Sequence, residues 1–230
     1  MPDYSRRSTQ EELLDEINLD RDELFQNLRE LESINRLLGG HSATLKGLIK
    51  IIKEPDKTYR IVDFACGGGD TLRAIHRWAK RKKIKVELQG FDLLADAITY
   101  AEENSKGFNI KYEVADFNTF ETKNCDIAIC SLVCHHFYGE KLNAFLLKMH
   151  ETANKAVIIN DLHRHWFAYY SINFLTQLFS KSRLVKNDAK LSVLKGFTKK
   201  EWQSILKENG FATFHIEWVW AFRHLIVIER

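Results

Sequence analysis

The 230 residues, 45% hydrophobic and 28% charged, suffice for one well-buried core and lack the composition of a disordered or fibrous chain. A formal charge of only +3 excludes a field strong enough to make nucleic acid or an anionic membrane the main partner, so no nucleic-acid ligand is expected. Four cysteines in or beside apolar segments, no apolar run long enough to span a bilayer, and an N-terminus without a secretion-type apolar stretch predict a reduced, cytoplasmic setting.

From about Glu11 to Leu38, apolar residues recur at helical spacing through Leu24, Leu28, Leu31, Ile34 and Leu38, and Gly39-Gly40 supplies a stop. Residues 1–40 thus read as a helical extension ahead of a domain over 41–230. A further helix, "HSATLKGLIKIIKE", ends before Pro55. Short apolar strands then alternate with helical stretches. They run "YRIVDFA", a helix from Thr71 to about Lys80, "KVELQGFD", a helix from Leu94 to about Asn104, "IKYEVADF", "DIAICSLV", a helix from Glu140 to about Thr152, and "KAVIINDL". This rhythm predicts an α/β fold with a mostly parallel sheet covered on both faces, because parallel neighbours need crossover connections. The basic run Lys80 to Lys83 reads as a solvated helix C-terminus. The last segment, "ATFHIEWVWAFRHLIVIER", reads as a hairpin that adds an antiparallel strand at the sheet's end.

Between the fifth strand and the helix "FTKKEWQSILKENGF" lies an insertion over about 164–195, "RHWFAYYSINFLTQLFSKSRLVKNDAKLSV", too apolar for a solvated loop. Three readings stand: core, a lid that closes Trp166, Tyr169, Tyr170 and Phe174 over an apolar acceptor, or a transient membrane-surface contact flanked by Lys181, Arg183 and Lys186. The Cys125, Cys130, Cys134, His135, His136 cluster suggests zinc at first sight. Cys125 and Cys130, an odd number apart in one strand, are expected on opposite faces, so buried thiols and no metal site are expected.

The chemistry centres on "IVDFACGGGDTL", residues 61–72, where an acid ends a strand and glycines open a helix. In a parallel sheet ligands sit beyond the carboxyl ends of the strands, and backbone N–H groups in such a turn face them. Gly69 is followed by Asp70-Thr71 rather than Lys-Ser or Lys-Thr, which argues against a Walker loop and phosphate transfer. Leu72 stands where a dinucleotide fingerprint needs its third glycine, and Asp70 would repel a pyrophosphate. A third reading is a ligand with an adenosine but no phosphate.

"VDFACGGGD", "QGFDLLADAI", the Asp116-Phe117 pair and "DIAICSLVCHHF" together resemble the class I S-adenosylmethionine-dependent methyltransferases, and within them the small-molecule branch that includes the ubiquinone and menaquinone enzymes. "NRLLGGH", "NDLHRH" and the aromatic insertion also resemble methyltransferases of polyketide and aromatic pathways. The resemblance implies a Rossmann-like, seven-stranded sheet and S-adenosyl-L-methionine as cofactor. It places the cofactor on Asp63, Ala65, Cys66, Gly67 and Gly69 of the loop, with Ala65 where the family has its first glycine. Asp92 and Leu93 would hold the ribose, Asp116 and Phe117 the adenine, and Cys130 and Ser131 would lie in the fourth-strand motif. It also implies methyl transfer to a small apolar or aromatic acceptor at oxygen or carbon. Protein methylation and a non-catalytic cofactor-binding scaffold stay open beside it. Base candidates, where one is used, are His135 and His136 after the fourth strand and Asp161 and His163 after the fifth, because histidine titrates in the useful range.

Overall fold

The computed structural model describes residues 2–15, 20–54, 56–120 and 125–230. Seven strands form one sheet: β1 (Thr58–Phe64), β2 (Lys85–Asp92), β3 (Ile110–Val114), β4 (Cys125–Ser131), β5 (Ala153–Leu162), β6 (Thr213–Val219) and β7 (Arg223–Glu229). Their order is β3-β2-β1-β4-β5-β7-β6. Strands β1 to β5 pair in parallel, while β7 lies antiparallel between β5 and β6. The antiparallel strand is therefore inserted next to the edge rather than forming it, because the hairpin folds its second arm back onto β5. Chain order reverses between β1 and β4, which places a switch-point crevice above the carboxyl ends of these strands.

Eight α-helices accompany the strands among the described residues: α1 (Arg21–Leu37), α2 (Gly40–Ile51), α3 (Asp70–Lys82), α4 (Ala95–Asn104), α5 (Gly139–Thr152), α6 (Trp166–Phe179), α7 (Arg183–Lys195) and α8 (Lys199–Glu208). Strand alternation sorts the core into two layers. Val62, Phe64, Ala128 and Cys130 join Phe145 of α5 and Trp202 of α8 on one face; Tyr59, Ile61, Ile127 and Ile129 join Leu48 of α2 and Ile75 of α3 on the other.

Two local features depart from the sequence expectations. The helix expected from Glu11 begins only at Arg21, where the Asp20 carboxylate accepts the backbone N–H groups of Asp22 and Glu23 and starts α1 afresh. Before it, the described residues form no α-helix and hold a short 3₁₀ turn at Leu13–Asp15. Cys125 and Cys130, expected on opposite faces, lie in the same core layer, since the β4–β5 register shifts between Cys125 and Ile127 and resets the alternation. All four cysteines are buried free thiols, and burial pushes each of them above its ordinary pKa.

Candidate active site

The glycine turn follows β1 directly. Ala65 has φ 57, Gly67 φ 50 and Gly69 φ 72, so the alanine in the loop adopts the left-handed conformation that its methyl makes costly. A Cβ at Gly69 would run into the Tyr112 hydroxyl, whereas one at Gly67 would meet only Leu28, at 3.9 Å. Gly69 is thus required by packing and backbone, and Gly67 is the residue of the turn that leaves room on its outer side. Asp92, at the end of β2, accepts the Gly67 N–H at 2.8 Å on one carboxylate oxygen and the Leu94 N–H at 3.0 Å on the other. Burial pushes its pKa up, against the pull of those two N–H groups.

Asp63 is 2% exposed, and its Oδ1 has no hydrogen-bond partner among the described residues. Burial, reinforced by Asp70 and Asp92, holds its carboxyl well above the usual range. Asp70 behaves in the opposite way: burial would raise it, but His41 at 2.6 Å and Asn35 at 3.1 Å hold it low. The acids that converge are Asp63, Asp70 and Asp92. Asp116 instead closes the turn after β3 on Asn118, with its carboxylate 2.8 Å from that residue's backbone and side-chain nitrogens. Phe117 packs on Phe137 and Phe145, and Leu93 stands 65% exposed beside Asp92.

A second polar cluster forms because β4 and β5 are parallel neighbours, with Ser131 opposite Asn160. The turn after β4, Cys134–His136, therefore overhangs the end of β5. His135 is 2% exposed; its Nδ1 lies 2.7 Å from Asp161 Oδ1, and its backbone N–H donates to Oδ2 of the same carboxylate at 3.2 Å. Burial alone would raise Asp161, but the charge and hydrogen bond of His135 hold its pKa below the ordinary value. Asp161 therefore stays a carboxylate, and it accepts the Nδ1–H of His135. Of the base candidates, Asp161 is bonded to His135, and His163 lies outside the cavity described below, beside His165 and His224. Cys130 packs in the core 3.7 Å from the Cys134 sulfur, and Ser131 accepts a hydrogen bond from Asn160.

Glu12, a residue the sequence did not flag, completes the cluster. It is 3% exposed, accepts from Ser192 Oγ at 3.0 Å and sits 3.3 Å from Lys195 Nζ. His135 Nε2 lies 4.0 Å from one of its oxygens and His136 Nε2 3.9 Å from the other. These three donor atoms span less than 4.8 Å, a separation suited to a divalent ion, but the Lys195 ammonium already balances the carboxylate. The segment around Glu12 is anchored by Arg7, which donates to the carbonyls of His135, Phe137 and Lys195 at 2.7–3.0 Å.

Glu12, His135 and His136 form the polar end of a cavity of about 370 Å³, otherwise walled mainly by apolar residues of α1, α6, α7 and the β6–β7 turn. The insertion over 164–195 comprises α6 and α7, and α6 does wall the cavity. It does so with Phe167, Ala168, Ser171, Ile172 and Leu175, not with the four expected residues. Trp166, Tyr170 and Phe174 point outward, 56%, 50% and 63% exposed, and Tyr169 contacts Tyr4 and Tyr170. The helix phase is the reason: residues 166, 170 and 174 recur every four positions along the solvent side.

A family model described as a methyltransferase domain matches residues 55–210, more than half of the chain. The chain belongs to this methyltransferase family. No curated protein sequence matches it. Among solved structures, the plantazolicin methyltransferase BpumL in complex with SAH is similar at 19% identity and TM-score 0.67, covering 93% of this chain and 91% of that one. Human N-acetylserotonin methyltransferase with SAM is similar at 16% identity and TM-score 0.64, covering 92% of this chain and 56% of that one. The CMeT domain of the citrinin polyketide synthase follows at 15% identity and TM-score 0.58, over 80% of this chain and 49% of that one.

In this methyltransferase the residues at the switch point fit an adenosyl donor. Each Asp92 oxygen uses one acceptor site on a backbone N–H and has another with which it would accept from a ligand hydroxyl. A side chain's first carbon at Gly67 would meet only Leu28, at 3.9 Å, and Asp63 Oδ1 is a buried acceptor whose requirement the described residues do not meet. No helix among the described residues is long and apolar enough to cross a membrane.

Proposed function

We propose that this protein transfers the methyl group of S-adenosyl-L-methionine to an oxygen of a small apolar or aromatic acceptor held between α1, α6 and α7. The observation that carries the reading is the His135–Asp161 pair at the polar end of an otherwise apolar cavity. When bound on Gly67 and Asp92, the cofactor supplies an electrophilic methyl on a sulfonium. The chain's own task is to make the acceptor oxygen nucleophilic and to keep water away. Asp161 fixes the tautomer, so Nε2 receives the hydroxyl proton as the oxygen attacks, and the buried carboxylate stabilises the imidazolium that results. Apolar walls exclude water and orient a flat acceptor, which is where much of the rate of such a displacement comes from. The solved neighbours named for N-acetylserotonin and for a polyketide synthase support a small-molecule acceptor.

Incubation with deuterated-methyl cofactor and a panel of phenols, followed by mass spectrometry, tests the assignment. His135→Gln is expected to lower turnover by about 10²- to 10⁴-fold, the usual span for a general base, with cofactor affinity unchanged. Asp161→Asn should lower turnover too, by freeing the wrong tautomer. Full turnover by His135→Gln would show that positioning alone drives transfer.

A further inference from the structure

Arg223 opens β7 and is 2% exposed. One of its nitrogens, Nη2, donates to Asn35 Oδ1 at 3.0 Å; Nε and Nη1 are buried with no hydrogen-bond partner among the described residues. Asp161 and Asp70 lie near enough to favour its charge, though neither accepts a hydrogen bond from it. Burial lowers its pKa to about 10, which still leaves the guanidinium charged at neutral pH. A desolvated cation with two unmet donor nitrogens is destabilising, and an apolar side chain of similar volume would be neutral or better at such a position. What Arg223 adds is a guanidinium with two unmet donors at a residue that lines the acceptor cavity, its Nε and Nη1 buried behind the cavity surface.

Its place in that cavity narrows the ligand. Leu162 of β5 pairs with Arg223, one register position from the Asp161–His224 pair, and Asp161, the partner of His135, is near enough to act on the Arg223 charge. Gly67, Asp63 and Asp92 do not line this cavity. We propose that Arg223 is the receptor for a carboxylate on the acceptor itself, so that the acceptor combines an apolar ring system, a methylatable hydroxyl and a nearby carboxylate. The inference rests on the acceptor reading above and goes beyond it by naming the group that Arg223 selects.

The test compares 1-hydroxy-2-naphthoate with 1-naphthol, by calorimetry on the full chain saturated with S-adenosylhomocysteine, and needs no turnover. The wild type is expected to bind the carboxylate at least tenfold tighter, a margin typical of a charge-assisted hydrogen-bonded pair. Arg223→Met should bind both probes alike, keep its cofactor affinity within twofold, and melt no lower than wild type. Arg223→Lys, which keeps the charge but not the fork, should retain only part of the preference. A wild type without preference, including one that binds neither probe, overturns the proposal. So does a preference that survives in Arg223→Met, a variant that loses cofactor instead, or an Arg223→Met that fails to fold. Methyl transfer to uncharged phenols in the His135 experiment would still stand in each of these cases, which separates the two readings.

Discussion

Glu12 holds two roles that a single substitution would confound. Its carboxylate neutralises Lys195, itself buried, and faces the Nε2 atoms of His135 and His136. Glu12→Gln is therefore expected to destabilise the fold by about 3–5 kcal/mol, since it removes the charge of one member of a buried ion pair. Glu12→Gln with Lys195→Met should recover most of that loss, as the charge and its counter-charge leave together. Chemical denaturation of these two variants and of Lys195→Met alone checks the cycle, and a Glu12→Gln protein as stable as wild type would mean that the ion pair contributes nothing to stability. At this scale the sequence was legible wherever chemistry is encoded within a few neighbouring residues. Asp92 at its strand end, the glycine turn and His135 in "VCHHF" were readable for that reason. Asp161 was visible as an acid but not as the partner of His135, because that contact exists only through the β4–β5 pairing. Glu12 and Arg223 carried no local signal at all; each reaches the cavity from a distant part of the chain.

Helix α6 shows the same limit one level up. Its fourteen residues, WFAYYSINFLTQLF, contain no charge, and composition alone made every aromatic ring in it a plausible wall of the pocket. Only the helix phase sorts them. Leu175 lines the cavity, whereas Phe174 and Leu178 are 63% and 59% exposed. Phe174→Glu and Leu178→Glu should therefore each change stability by no more than about 0.5 kcal/mol, as is usual for surface positions away from special features. Leu175→Glu should abolish acceptor binding, since it places a carboxylate in the apolar wall. Thermal melts paired with methyl-transfer assays separate the two faces, and a reversed pattern would mean that α6 is rotated from the orientation described. The cysteine pattern failed in the sequence for a related reason: strict alternation cannot anticipate a register shift between Cys125 and Ile127.

For the molecule as a whole, element types and the sheet's parallel character followed from periodicity. The insertion of β7 between β5 and β6 did not, because a hairpin in sequence does not state which arm meets the sheet. That placement has a consequence for acid stability. β7 sets His224 opposite Asp161, 2% exposed, and burial, with His163 beside it, pushes the His224 pKa down to about 4. In the unfolded chain the imidazole titrates near 6.5. Above that pH both states carry His224 neutral, and it adds no pH dependence. Between 6.5 and 4 the unfolded chain binds a proton that the folded protein refuses, so stability declines as pH falls, by up to about 1.4 kcal/mol per pH unit. Asp63 acts in the opposite sense, because its raised pKa lets the folded protein take up a proton before the unfolded chain does. Subtracting a variant removes that opposing contribution. His224→Leu should melt progressively higher relative to wild type as pH is lowered from 7 to 4.5, with the gap opening by several degrees. Two melting curves that stay parallel across the range would show that His224 is protonated in the folded protein, and the acid sensitivity would then have to come from other groups.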